Sequence, residues 1–119
     1  MNGSGLNGVA VHGNAVYATI GESVTGRVLR IPIDAPAATT VVADLAIGGL
    51  PDDLAFTPGG QLYVATTTGS LVRVNPDTHR VCTVLTGEPL TSLAVTPGND
   101  RQLMAGTLSG NVLRIQLNT

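Results

Sequence analysis

Hydrophobic positions fall in short runs, separated by clusters of Gly, Pro, Asn and Asp. Val, Leu, Ile, Ala and Thr dominate the runs, and no stretch keeps the 3.6-residue spacing of an amphipathic helix. The pattern predicts strands joined by hairpins, with little or no helix. His12-Gly13-Asn14, Pro58-Gly59-Gly60 and Pro97-Gly98-Asn99-Asp100 read as turns between first and second strands. Gly and Asn supply the positive φ that tight hairpins need.

The runs also repeat. Leu6-Asn7-Gly8-Val9-Ala10-Val11, Ala15-Val16-Tyr17-Ala18-Thr19 and Gly26-Arg27-Val28-Leu29-Arg30-Ile31 form a first set. Pro51-Asp52-Asp53-Leu54-Ala55-Phe56, Leu62-Tyr63-Val64-Ala65-Thr66 and Gly69-Ser70-Leu71-Val72-Arg73-Val74 form a second. Thr91-Ser92-Leu93-Ala94-Val95, Leu103-Met104-Ala105-Gly106-Thr107 and Gly110-Asn111-Val112-Leu113-Arg114-Ile115 form a third. An Ala recurs at 10, 55 and 94, in steps of 45 and 39, and an Arg at 30, 73 and 114, in steps of 43 and 41. This is the period of a four-stranded propeller blade. Thr40–Ala43 and Val81–Leu85 supply fourth strands, and the third repeat carries three. The expected fold is all-β: three β-propeller blades at about 5–48, 49–89 and 90–119, the third lacking its outer strand. Three blades leave apolar faces open at both ends. The ring is therefore expected to be completed to six blades, either by missing N-terminal blades or by a second copy in a homodimer.

Composition narrows the function classes. The 119 residues carry a net charge of −2, with 12% charged and 43% apolar residues, which excludes a disordered chain. Six scattered Arg residues and no Lys form no basic face for nucleic acid. No apolar run approaches the ~20 residues of a membrane helix. Met1-Asn2-Gly3-Ser4 shows no signal-peptide pattern, and the compartment stays open. Cys82, the single cysteine, excludes an internal disulfide and reads as a small packed hydrophobe in an outer strand. His12 and His79 read as exposed turn residues. Gly3-Ser4-Gly5-Leu6-Asn7-Gly8 spells a dinucleotide-binding fingerprint but has no strand before it and no helix after it. The stems of Arg30, Arg73 and Arg114 are expected to cover blade surface.

Three residues before each recurring Ala stand Asn7, Asp52 and Thr91, with Asp53 and Ser92 beside them. Blade symmetry brings equivalent positions to one mouth of the channel. The loops Ile20–Thr25, which holds Glu22, and Thr67–Thr68 should frame the same mouth. Oxygen donors converging there suit a hard cation such as calcium or magnesium. The same residue types also cap turns, and the pattern alone leaves both readings open.

At these residues the chain resembles a known family. Leu6-Asn7-Gly8-Val9-Ala10 is similar to the P-N-G-L motif of the gluconolactonase, senescence-marker-protein and luciferin-regenerating-enzyme family. Pro51-Asp52-Asp53-Leu54-Ala55-Phe56 and Gly60-Gln61-Leu62-Tyr63-Val64-Ala65 resemble its P-D-G motif and the strand that follows, and the match continues through Gly69–Thr78. The resemblance implies the C-terminal half of a six-bladed, metal-dependent lactonase acting on a small molecule. It makes Asn7 and Asp52 ligands of a divalent cation, calcium above all, and Asp52 also the general base for water. Asp53 stands where that family has Gly, and the family's Glu ligand belongs to N-terminal blades. The chain also resembles fungal TolB-like propellers, through Asp52-Asp53-Leu54-Ala55 and Thr91-Ser92. Some of these are metal-free hetero-Diels–Alderases, which implies a shaped pocket and a cyclase without cofactor. A non-catalytic interaction scaffold is the third class.

Overall fold

A computed structural model describes residues 5–20, 25–47 and 50–117. Among the described residues there are eleven strands: β1 (Leu6–His12), β2 (Ala15–Ile20), β3 (Thr25–Pro32), β4 (Thr40–Ile47), β5 (Pro51–Phe56), β6 (Leu62–Thr66), β7 (Ser70–Val74), β8 (Val81–Thr86), β9 (Leu90–Thr96), β10 (Asn99–Thr107) and β11 (Val112–Gln116). One 3₁₀ turn, Pro36–Ala38, precedes β4. The strands form antiparallel sheets in the orders β1-β2-β3-β4, β5-β6-β7-β8 and β9-β10-β11. The fold is all-β, with sheets of four, four and three strands. Two hairpins are tighter than the turn residues suggest. His12 closes β1 by pairing with Ala15, and Asn99 opens β10 by pairing with Thr96.

Each sheet has two faces because side chains alternate along a strand. Ala10, Tyr17 and Arg30 lie opposite one another across the first sheet. Ala55, Tyr63 and Arg73 do so in the second, and Ala94, Met104 and Arg114 in the third. The remaining face of the second sheet holds Leu54, Phe56, Leu62, Val64, Val72 and Val74. It packs with Tyr17, Val28, Val42 and Ala43 of the first sheet in one apolar cluster. The same face of the third sheet, Leu93, Val95, Leu103, Ala105, Leu113 and Ile115, packs with Tyr63, Ala65 and Leu71 in another. Burying each Leu or Val contributes about 1.5–3 kcal/mol, so these two joints carry the fold. In the first sheet, Val9 and Val11, the counterparts of Leu54 and Phe56, are 62% and 64% exposed.

Cys82 departs from the sequence reading. It is exposed, and so is every other residue of β8. The third sheet has three strands among the described residues, so no fourth strand faces β8.

Candidate functional site

The inner strands β1, β5 and β9 lie side by side, with β5 in the middle. All three break their ladder at the same place. Asn7 and Gly8 stand between the pairs Leu6↔Ile20 and Val9↔Ala18, which leave one residue opposite. Asp52 is the extra residue between Pro51↔Thr66 and Asp53↔Ala65. Thr91 is the extra residue between Leu90↔Thr107 and Ser92↔Gly106. A bulge re-aims side chains and strengthens local twist. The three positions that the repeat aligns are thus three β-bulges at the entrance of the inner strands.

The first two bulges meet across the blades. The Asn7 side chain stands beside the Asp52 carboxyl and favours its charged form. Burial lifts the Asp52 carboxyl above its ordinary value of 3.8, the Asp53 charge lifts it further, and the Asn7 amide lowers it. Beneath them the Gly8 N–H donates to Thr19 Oγ1 at 2.8 Å, and that hydroxyl donates to the Asp52 carbonyl at 3.0 Å. Gly8 has to be a glycine for this approach, because a Cβ there would lie 2.8 Å from the Asp52 carbonyl oxygen.

Asp53 is spent differently. Its Oδ1 accepts the Leu54 N–H at 2.9 Å and its Oδ2 accepts the Leu93 N–H of the third blade at 2.8 Å. The carboxylate therefore ties two blades together. The sequence reading missed this role, and its one visible signal is a second Asp where the first repeat has Gly8 and the third has Ser92. Thr91 Oγ1 donates to the Gly106 carbonyl of its own blade at 3.4 Å, and Ser92 is exposed. Thr67 reaches the same rim, its N–H donating to the Leu50 carbonyl at 3.0 Å. Glu22 lies outside the described residues.

For a hard cation this donor set fits on one side. The Asp52 carboxylate and the Asn7 amide are adjacent, whereas both Asp53 oxygens already accept backbone N–H groups. Calcium takes about six to eight oxygens. Among the described residues no group of three or more His, Cys, Asp or Glu could hold a metal ion, so other ligands would have to complete the shell.

The opposite rim has its own fittings. The His12 ring stacks on Phe56 at 4.3 Å between centroids, and Tyr17 meets Phe56 edge-on at 4.8 Å. Gly59 of the second blade donates its N–H to the Asp100 carboxylate of the third. A groove of about 610 Å³ lined by Gln61, Arg73, Asn75, Asp77, Arg80 and Cys82 also opens there, away from Asn7 and Asp52.

No family model matches the chain, and no curated protein matches it. Solved structures do. The β-propeller domain of Cps50 (Swd1) from Myceliophteria thermophila superposes with a TM-score of 0.75 at 14% identity, over 98% of this chain and 37% of that one. A streptogramin B lyase gives 0.68 at 16% identity, over 98% and 42%. Virginiamycin B lyase from Staphylococcus aureus gives 0.65 at 13% identity, over 100% and 45%. The chain spans less than half the length of each of these structures. At such identities the likeness establishes the fold: the three sheets are blades of a β-propeller.

Proposed function

We propose that the chain contributes part of the active site of a lactonase-like, metal-dependent hydrolase propeller. The observation that carries this reading is the close approach of the first two blades at matching bulges, which sets the Asn7 side chain beside the Asp52 carboxyl. In this reading Asn7 and Asp52 hold a divalent cation, calcium in the first instance. When bound, the ion would polarise the lactone carbonyl. Asp52 takes the proton of the attacking water. Asn7 fixes the Asp52 carboxylate in place, while Thr91 and Ser92 border the mouth on the side of the third blade. The remaining wall and ligands come from further blades or from a second copy. The exposed Val9 and Val11 face is where a neighbouring blade would pack.

Hydrolysis of a small lactone by the completed ring tests the reading. Chelator and Asp52→Asn should each abolish turnover while the strand signal in circular dichroism persists. Asn7→Ala should raise the calcium concentration needed for half-maximal rate. Turnover indifferent to all three would remove the metal hydrolase and leave a metal-free pocket, as the cyclase resemblance implies.

A further inference from the structure

An Asn followed by Gly is the pair most prone to lose its side-chain amide, because the Gly nitrogen reaches the Asn side-chain carbonyl with no side chain in the way. The chain holds two such pairs, Asn2-Gly3 and Asn7-Gly8, and the second lies among the described residues. Its two halves have opposite surroundings. Asn7 is exposed, whereas Gly8 is buried. A slower residue cannot replace Gly8, because a Cβ there would lie 2.8 Å from both the Asp52 carbonyl oxygen and the Asp53 Cα. The close approach of the first two blades thus keeps a reactive pair beside Asp52.

The nitrogen that would attack is the one the joint holds. The Gly8 N–H donates to Thr19 Oγ1 at 2.8 Å, and the same hydroxyl donates to the Asp52 carbonyl at 3.0 Å. Thr19 is 0% exposed, which shields both bonds from water. With its own proton committed to Asp52, the hydroxyl turns a lone pair to the Gly8 N–H. That bond keeps the nitrogen protonated and its peptide plane fixed. The places equivalent to Thr19 in the other blades are Ala65 and Gly106, which carry no hydroxyl. There the places of Asn7 and Gly8 are taken by Asp52-Asp53 and Thr91-Ser92, which have no side-chain amide to lose. Among the three bulges, the hydroxyl stands at the one where an Asn precedes a Gly.

We infer that Asn7-Gly8 is a deamidation site, locked by the Thr19 hydroxyl and released when the first two blades part. On release the Gly8 nitrogen gives its proton to water and bonds the Asn7 Cγ. The side-chain NH₂ takes up a proton and leaves as ammonia, and a succinimide ring remains. Water then adds to either ring carbonyl and breaks its bond to the nitrogen, giving aspartate or isoaspartate at position 7. Either product sets a second carboxylate beside Asp52. Isoaspartate also adds a methylene to the main chain inside the bulge, so the parted joint does not close as before.

The 119-residue chain is incubated near neutral pH, and mass spectrometry follows the exchange of NH₂ for OH at Asn7. Conversion should run roughly tenfold or more slower than in a synthetic peptide of residues 5–11. Thr19→Val should quicken it several-fold, whereas Thr19→Ser, which keeps the hydroxyl, should match the parent. Leu103→Ala weakens the other joint and should leave the rate unchanged. In the parent, mild urea should quicken conversion in step with exchange of the Gly8 amide, a measure that needs no variant. A parent that converts at the peptide's rate overturns the inference, as does Thr19→Val no faster than Thr19→Ser, or conversion that ignores Gly8 exchange. Equal quickening by Leu103→Ala and Thr19→Val also overturns it, because unfolding of the whole chain then exposes the pair.

Discussion

The two blade joints use the same apolar sandwich and different chemistry at the rims. Between the first and second blades the Thr19 hydroxyl links Gly8 to the Asp52 carbonyl at one rim, and His12 stacks on Phe56 at the other. Between the second and third blades both ties are carboxylates, Asp53 on the Leu93 N–H and Asp100 on the Gly59 N–H. The first joint is buried out to its fourth strand, while the second is exposed at β8. The contrast teaches that the repeat dictates the apolar sandwich, whereas single residues at the bulge decide how each joint is fastened. Gly8 leaves room for backbone to approach backbone, and Asp53 in the equivalent position reaches across with a side chain instead.

Matched core truncations should separate the joints most strongly. Leu62 and Leu103 are repeat equivalents, each 0% exposed, one in each joint. Leu62→Ala should cost about 3–4 kcal/mol, because the closed joint cannot collapse around the cavity. Leu103→Ala should cost nearer about 2 kcal/mol, because the joint beside the exposed β8 can relax. Urea unfolding of both variants measures the difference. Equal losses, or the reverse order, would show that the exposed outer strand does not loosen the core beneath it.

The rim ties come next. Asp53→Ala removes the acceptor of two backbone N–H groups, a loss of about 1–3 kcal/mol. Amide exchange should quicken in β9–β11 and stay unchanged in β1–β4. Thr19→Val removes the hydroxyl relay of the other joint and should cost about 1–2 kcal/mol, with quickened exchange in β1 and β2. If either substitution loosens both joints alike, the blades open as one unit and the comparison fails.

Much of this architecture is legible in the sequence, because blade repetition writes each strand three times. The Ala and Arg registers align Ala10-Tyr17-Arg30 with Ala55-Tyr63-Arg73, and the sheets pair these residues directly. The alignment of Asn7, Asp52 and Thr91 was legible too, but their shared bulge was not. A bulge appears only when two strands are counted against each other, as with Asp52 standing unpaired between Pro51 and Asp53. Exposure at Cys82 was equally hidden. Its neighbours in sequence are apolar, and what leaves it open is a sheet with three strands on the far side of the joint.

The smallest effect concerns the one carboxylate at the meeting of the first two blades. Desolvation first, and the Asp53 charge second, raise the Asp52 carboxyl above 3.8, with the Asn7 amide opposing them. The folded chain therefore holds this proton more tightly than the unfolded chain does. Below pH 3.8 the group is protonated in both states. As pH rises through the folded value the unfolded chain binds fewer protons, and the stability that protonation contributes is lost. Ionised Asp52 is then a net cost to the fold at neutral pH. Asp52→Asn removes that cost, and because the group is partly solvated the gain should stay below about 0.5 kcal/mol. Thermal unfolding in chelator should place the variant slightly above the parent at pH 7 and level with it near pH 3. That pattern would assign the difference between variant and parent to the Asp52 carboxyl. A variant that is less stable than the parent at pH 7 would mean that the Asn7 amide outweighs burial and repulsion together, and that the carboxylate fastens this joint as Asp53 fastens the other.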